Sequence, residues 1–287
     1  EEGNTTYTLA EESATQEFTI SHATLTLTQA DGAQLSRVYD GTVTEAGAFV
    51  SADYFTVSGY VDGGDVYALF TAAVDGGAVI LNADSYTINI TLNSGAEGAG
   101  NYKCETFAIN YEVTPIQWTA SVAAPEGGLT YNGEDKLGSL VITADNAGAG
   151  LEGAPEIVAT VTGGSMVNAG TYTVTLQLQK DGAVYSGGNY ELTADSAEIV
   201  IAKRVVEISW AEASNLTYNG LEHTLTATVN NRVGEDVVNA TVELVGDNVK
   251  VTEAGFTYTV TGLEGAAAAN YTIEGVENLT SETQYIF

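Results

Sequence analysis

Three times along this chain the same series of phrases recurs, and that repetition limits the fold more than any other feature. A Tyr-Asx-Gly turn (Tyr39-Asp40-Gly41, Tyr131-Asn132-Gly133, Tyr218-Asn219-Gly220) is followed 40 to 47 residues later by a strand opening centred on Tyr86, Tyr172 or Tyr258. Each repeat then closes with an Asn-Tyr pair: Asn101-Tyr102, Asn189-Tyr190 or Asn270-Tyr271. The strand tyrosines stand 86 residues apart. A period of that length is one small β domain, longer than a solenoid turn. The 287 residues therefore divide into three modules, each large enough to bury roughly 60% of its unfolded surface without a metal or disulfide.

With 3 prolines, 32 glycines and strands rich in Thr, Val and Tyr, the chain reads as all-β. Period-two alternation supports this. In the second repeat Tyr172, Val174, Leu176 and Leu178 share one face, and Thr171, Thr173, Thr175 and Gln177 the other; the first repeat copies it with Tyr86, Ile88, Ile90 and Leu92. Alternation also locates the joints, because a one-residue shift sends the apolar set to the opposite face. Phe18 and Ile20 give way to Leu25 and Leu27; Ile109, Tyr111 and Val113 to Ile116, Trp118 and Val122; Ile199 and Ile201 to Val206, Ile208 and Trp210.

These phase flips predict long strands that close one module and open the next, pivoting at His22, Pro115 and Lys203. The predicted division is residues 1–22 as the closing strand of an upstream module or a lead-in strand, then modules at 23–115, 116–203 and 204–287. The predicted fold is three tandem Ig-like β-sandwich modules. Without a flexible spacer they are expected to stack end to end in a row exceeding about 100 Å. A smaller β-rich fold that includes a helix is the alternative topology.

The 38 acidic residues against 8 basic ones give a net charge of −30, which repels phosphate backbones and anionic lipid, so neither is expected as a partner. No stretch reaches the roughly 18 apolar residues of a membrane helix. Glu1-Glu2-Gly3-Asn4 lacks the basic and apolar regions of a signal peptide, so a mature product or a piece of something longer is expected. Histidine and cysteine are limited to His22, His223 and Cys104, too few for triads or zinc sites, and no nucleophile elbow or phosphate loop is present. An enzyme is not expected, nor a cofactor.

The Tyr-Asx-Gly turn, the Ala169-Gly170-Thr171-Tyr172-Thr173-Val174 strand, Gly188-Asn189-Tyr190 and the Ile199-Val200-Ile201-Ala202-Lys203 boundary strand resemble the YDG/MBG ("mostly β, glycine-rich") repeats of bacterial surface proteins. The resemblance covers nearly the whole chain and is strongest in the second repeat. The first departs from it, with Asp84 where the second has Gly170 and an insertion at Asp62-Gly63-Gly64-Asp65. It implies extracellular stalk or adhesin modules, often in arrays on cell-wall-anchored proteins, and supplies no catalytic residues.

Ten tyrosines at repeated positions are expected to be core or corner residues whose hydroxyls satisfy backbone groups. Sugar-stacking rings would instead fall at unrepeated positions, where Tyr54, Tyr60 and Tyr67 are the candidates. Asp62, Asp65 and Asp75 are the calcium candidates by chemistry, although Asp-Gly pairs are ordinary turn residues. Two functions stay open. One is a spacer that projects a distal domain; the other is an adhesin or carbohydrate-binding module that contacts a host or cell-wall glycan or protein through the first repeat.

Overall fold

The computed structural model describes residues 17–211 and 216–287. The expected upstream strand through Tyr7 to Leu9 lies outside the described residues; residues 17–22 carry no strand, and Phe18 and Ile20 are exposed. Among the described residues the chain consists of β-strands joined by turns and short 3₁₀ segments, with no α-helix. It forms two compact units, Glu1–Pro115 and Ile116–Phe287.

In the first unit, Ala23–Gln29 lies between Phe55–Ser58, antiparallel, and Tyr102–Cys104, parallel. A second sheet runs Ser36–Val38, Phe107–Thr114, Asp84–Leu92, Phe70–Val74. Tyr86, Ile88 and Ile90 point inward from the most strictly alternating strand and meet Ile109, Tyr111 and Val113 of its neighbour. Together with Leu25, Phe49 and Phe55 they form one core that draws on both sheets.

The second unit repeats this plan. Ile116–Ala123 lies between Val141–Asp145 and Tyr190–Ala194, and Ala197–Ala202 lies between Gly170–Lys180 and Leu129–Thr130. After Lys203, the short strand Arg204–Val205 pairs with Tyr271–Thr272, Ile208–Trp210 with Ala227–Val229, and Asn239–Gly246 with Phe256–Glu264. Ala23 stands opposite Tyr102, Ile116 opposite Tyr190 and Arg204 opposite Tyr271, so the residues before them, His22, Pro115 and Lys203, are structurally equivalent. Val122, Tyr131, Met166, Val174 and Ile201 share a single buried cluster with Val206, Val229, Val238 and Tyr271. The core of the second unit therefore continues across Lys203.

Candidate functional site

Each repeated phrase builds the same local device. In the Tyr-Asx-Gly turn the Asx carboxyl or amide oxygen accepts the backbone N–H two residues on: Thr42 to Asp40 at 2.9 Å, Glu134 to Asn132 at 3.0 Å, Leu221 to Asn219 at 2.8 Å. Gly41, Gly133 and Gly220 follow with φ of 77°, 80° and 71°, left-handed backbone that glycine adopts without steric cost. The tyrosine N–H donates to the end of the closing strand, from Tyr39 to Thr114 at 2.8 Å, Tyr131 to Ala202 at 3.0 Å and Tyr218 to Phe287 at 3.0 Å. The strand tyrosines return their hydroxyls to backbone carbonyls: Tyr86 to Asn82 and Tyr172 to Asn168 at 2.8 Å, Tyr258 to His223 at 3.0 Å. Tyr86 and Tyr258 are buried, whereas Tyr172 is only half-buried.

The tyrosine of the third Asn-Tyr pair and that of the second Tyr-Asx-Gly turn form the most developed polar cluster. At Lys203 the Tyr131 hydroxyl donates to Asp236 Oδ2 at 2.8 Å, and the Tyr271 hydroxyl donates to the same oxygen at 2.7 Å. The Val233 N–H in turn donates to the Tyr271 oxygen at 2.7 Å. The two rings meet edge to face, 5.5 Å apart. Beside them Asn270 accepts from the Ala169 N–H at 2.9 Å and donates to Asn168 Oδ1 at 3.1 Å. A Cβ on Gly133 would come within 2.8 Å of Val233 Cγ1, so the turn also depends on glycine for this close approach. Burial and the adjacent Asp236 push the ionisation of Tyr131 up and that of Tyr271 up to about 12.

The first repeat holds most of the same set in an open cleft of about 460 Å³, lined by Ile20, His22, Val61, Asp62, Asn101 and Tyr102 among others. The Val61 N–H donates to the Tyr102 oxygen at 3.4 Å, and the Tyr102 hydroxyl donates to Asp62 Oδ2 at 2.9 Å. Burial of the ring, then Asp62, raises the ionisation of Tyr102. In the second repeat Tyr190 donates to the Gly148 carbonyl instead.

The sequence-nominated sites are placed separately. Tyr54 packs its ring on Phe49 at 4.7 Å, and Tyr67 packs on Phe55 at 5.2 Å while donating its hydroxyl to the Phe55 carbonyl. Tyr60 lies 5.6 Å from Tyr102 at the cleft. All three are half-buried against the first core and do not converge into an exposed platform. Asp62 serves Tyr102, Asp65 accepts the Tyr67 N–H and starts a 3₁₀ turn, and Asp75 sits in the turn after Phe70–Val74. Among the described residues no group of three or more His, Cys, Asp or Glu is placed to hold a metal ion. Burial raises the ionisation of Cys104, the opposite of an activated thiol. Trp118 is fully buried and donates to Ala147, whereas Trp210 is half-buried and donates to Asn278. No helix among the described residues is long and apolar enough to cross a membrane.

Asp236 was not singled out by sequence. It is one acid among 38, and it falls two positions out of register with Asp62 when Val61 and Val233 are aligned. The available signal was an acid shortly after the strands Phe55–Ser58 and Ala227–Val229, in two repeats of three. Compared with known proteins, the chain matches no family model and no curated sequence.

Proposed function

We propose that the three repeats are Ig-like β-sandwich modules joined in series, and that the chain is a stalk segment of a bacterial cell-surface protein, holding a distal functional domain away from the cell. The observation that carries this reading is the cluster of Tyr131, Asp236 and Tyr271. Two repeats there share one carboxylate and one core, so Tyr131 and Tyr271 are committed to joining their repeats. The inward packing of Tyr54 and Tyr67 gives the adhesin alternative no support. The test is a screen of the chain against glycan arrays and cell-wall fragments. The spacer reading expects no saturable binding; saturable binding lost on Tyr60→Ala would replace it with a carbohydrate-binding role in the first repeat.

A further inference from the structure

We propose that the cleft at Asp62 and Tyr102 is a socket for another module of this repeat, which enters it with the tyrosine of its Tyr-Asx-Gly turn. The reason is that the chain already contains this socket in its filled form. At Lys203, Val233 N–H, Tyr271 and Asp236 make a short relay, and the Tyr131 hydroxyl completes it on the carboxylate. At His22, Val61 N–H, Tyr102 and Asp62 make the same relay with the same donors and acceptors. The strands beneath them match residue for residue, Arg204 opposite Tyr271 and Ala23 opposite Tyr102.

The difference lies in what covers them. Asp236 Oδ2 takes two tyrosine hydroxyls; Asp62, exposed beside the cleft, takes one among the described residues. Asn270 is buried by its bonds to Asn168 and Ala169, whereas its counterpart Asn101 is exposed on the cleft wall. A tyrosine suits this place chemically. Its hydroxyl donates to a carboxylate without adding charge to a chain already at −30, and its ring is a large apolar surface for the Tyr102 edge.

Tyr218 is such a tyrosine. It is exposed, and its N–H bonds to Phe287 as that of Tyr131 bonds to Ala202. A residue joined to Phe287 would therefore occupy the place of Lys203, which is also the place of His22. Joining Phe287 of one full chain directly to His22 of a second rebuilds the joint in register and sets Tyr218 against Asp62. Two contacts are missing from that joint, because Ala254 stands where Asn168 does and the N–H of Gly255, the counterpart of Ala169, donates to Thr252 Oγ1.

The socket rests on the reading of the modules as a series, but its test is independent of glycan binding. Hydrogen exchange is measured on the single chain and on this tandem. In the tandem, about half the signal from peptides covering Tyr60–Asp62 and Asn101–Lys103 is expected to exchange about tenfold more slowly, and Tyr218→Phe in the first copy or Asp62→Ala in the second is expected to remove that protection. Exchange identical to that of the single chain would overturn the socket. Protection that survives both substitutions would overturn the tyrosine lock as its basis. Glycan binding with protection intact would cost the chain its spacer role and leave the socket standing.

Discussion

Tyr271 keeps its proton far longer than a tyrosine in water, because its ring is buried and its hydroxyl faces Asp236. The ordinary value is 10.0 and the folded value about 12. Between these the unfolded chain releases a proton that the folded chain retains, so the stabilisation is complete below about pH 10 and is lost as pH rises through 12. Denaturant unfolding from about pH 9 upward should show stability falling across that window, with a shallower fall in Tyr271→Phe. Steric burial sets a second contrast between tyrosines. Tyr86→Ala empties a buried core position and is expected to cost about 3–5 kcal/mol, whereas half-buried Tyr172→Ala should cost less, about 2–3 kcal/mol. Equal losses would show that burial does not distinguish the two sites.

At the scale of the element, the Tyr-Asx-Gly turn is a clasp on the closing strand, and its glycine does different work in different repeats. Gly220 needs only its left-handed backbone, since a Cβ there meets nothing within 4 Å. Gly220→Ala is expected to cost about 1–2 kcal/mol. Gly133→Ala adds a collision with Val233 and should cost about 2–4 kcal/mol, a difference that chemical denaturation resolves. The strand faces and the equivalence of His22, Pro115 and Lys203 were legible in the sequence, because side-chain direction has a fixed period of two and the buried sets obey it at Ile199, Ile201, Val206 and Ile208. The partner of the Asn-Tyr tyrosines was not legible. The loops after Phe55–Ser58, Val141–Asp145 and Ala227–Val229 differ among repeats, so an aspartate in two and a backbone carbonyl in the other fill the same role. The inward packing of Tyr54 and Tyr67 was illegible for a related reason. Composition marks an insertion as aromatic, but only packing tells whether the rings turn toward solvent or toward Phe49 and Phe55.

For the whole molecule, the extent of each core sets the number of cooperative transitions. The first unit has its own cluster, and the larger cluster of the second spans Lys203 and shares Trp210 with a smaller one of Leu225, Phe256, Tyr258 and Ile286. Calorimetry should therefore resolve two transitions, one for Glu1–Pro115 and one for Ile116–Phe287. Asp236→Ala, which leaves the Tyr131 and Tyr271 hydroxyls without their carboxylate, is expected to lower the second transition alone by about 2–4 kcal/mol in stability. Three transitions in the unaltered chain would mean that the shared cluster fails to couple its two repeats.

In the first two repeats the opening strand and the closing strand are each flanked by partners on both sides: Ala23–Gln29 and Ile116–Ala123 in one sheet, Phe107–Thr114 and Ala197–Ala202 in the other. A pull applied to the chain on either side of a repeat acts through these strands. Because ladder hydrogen bonds run across the strand direction, a pull along the strand loads them in shear, first on one partner and then on the other, since Tyr102–Cys104 pairs with residues 23–25 and Phe55–Ser58 with residues 26–29. The same arrangement that sets the register of each repeat thus gives it a mechanical clamp at both ends.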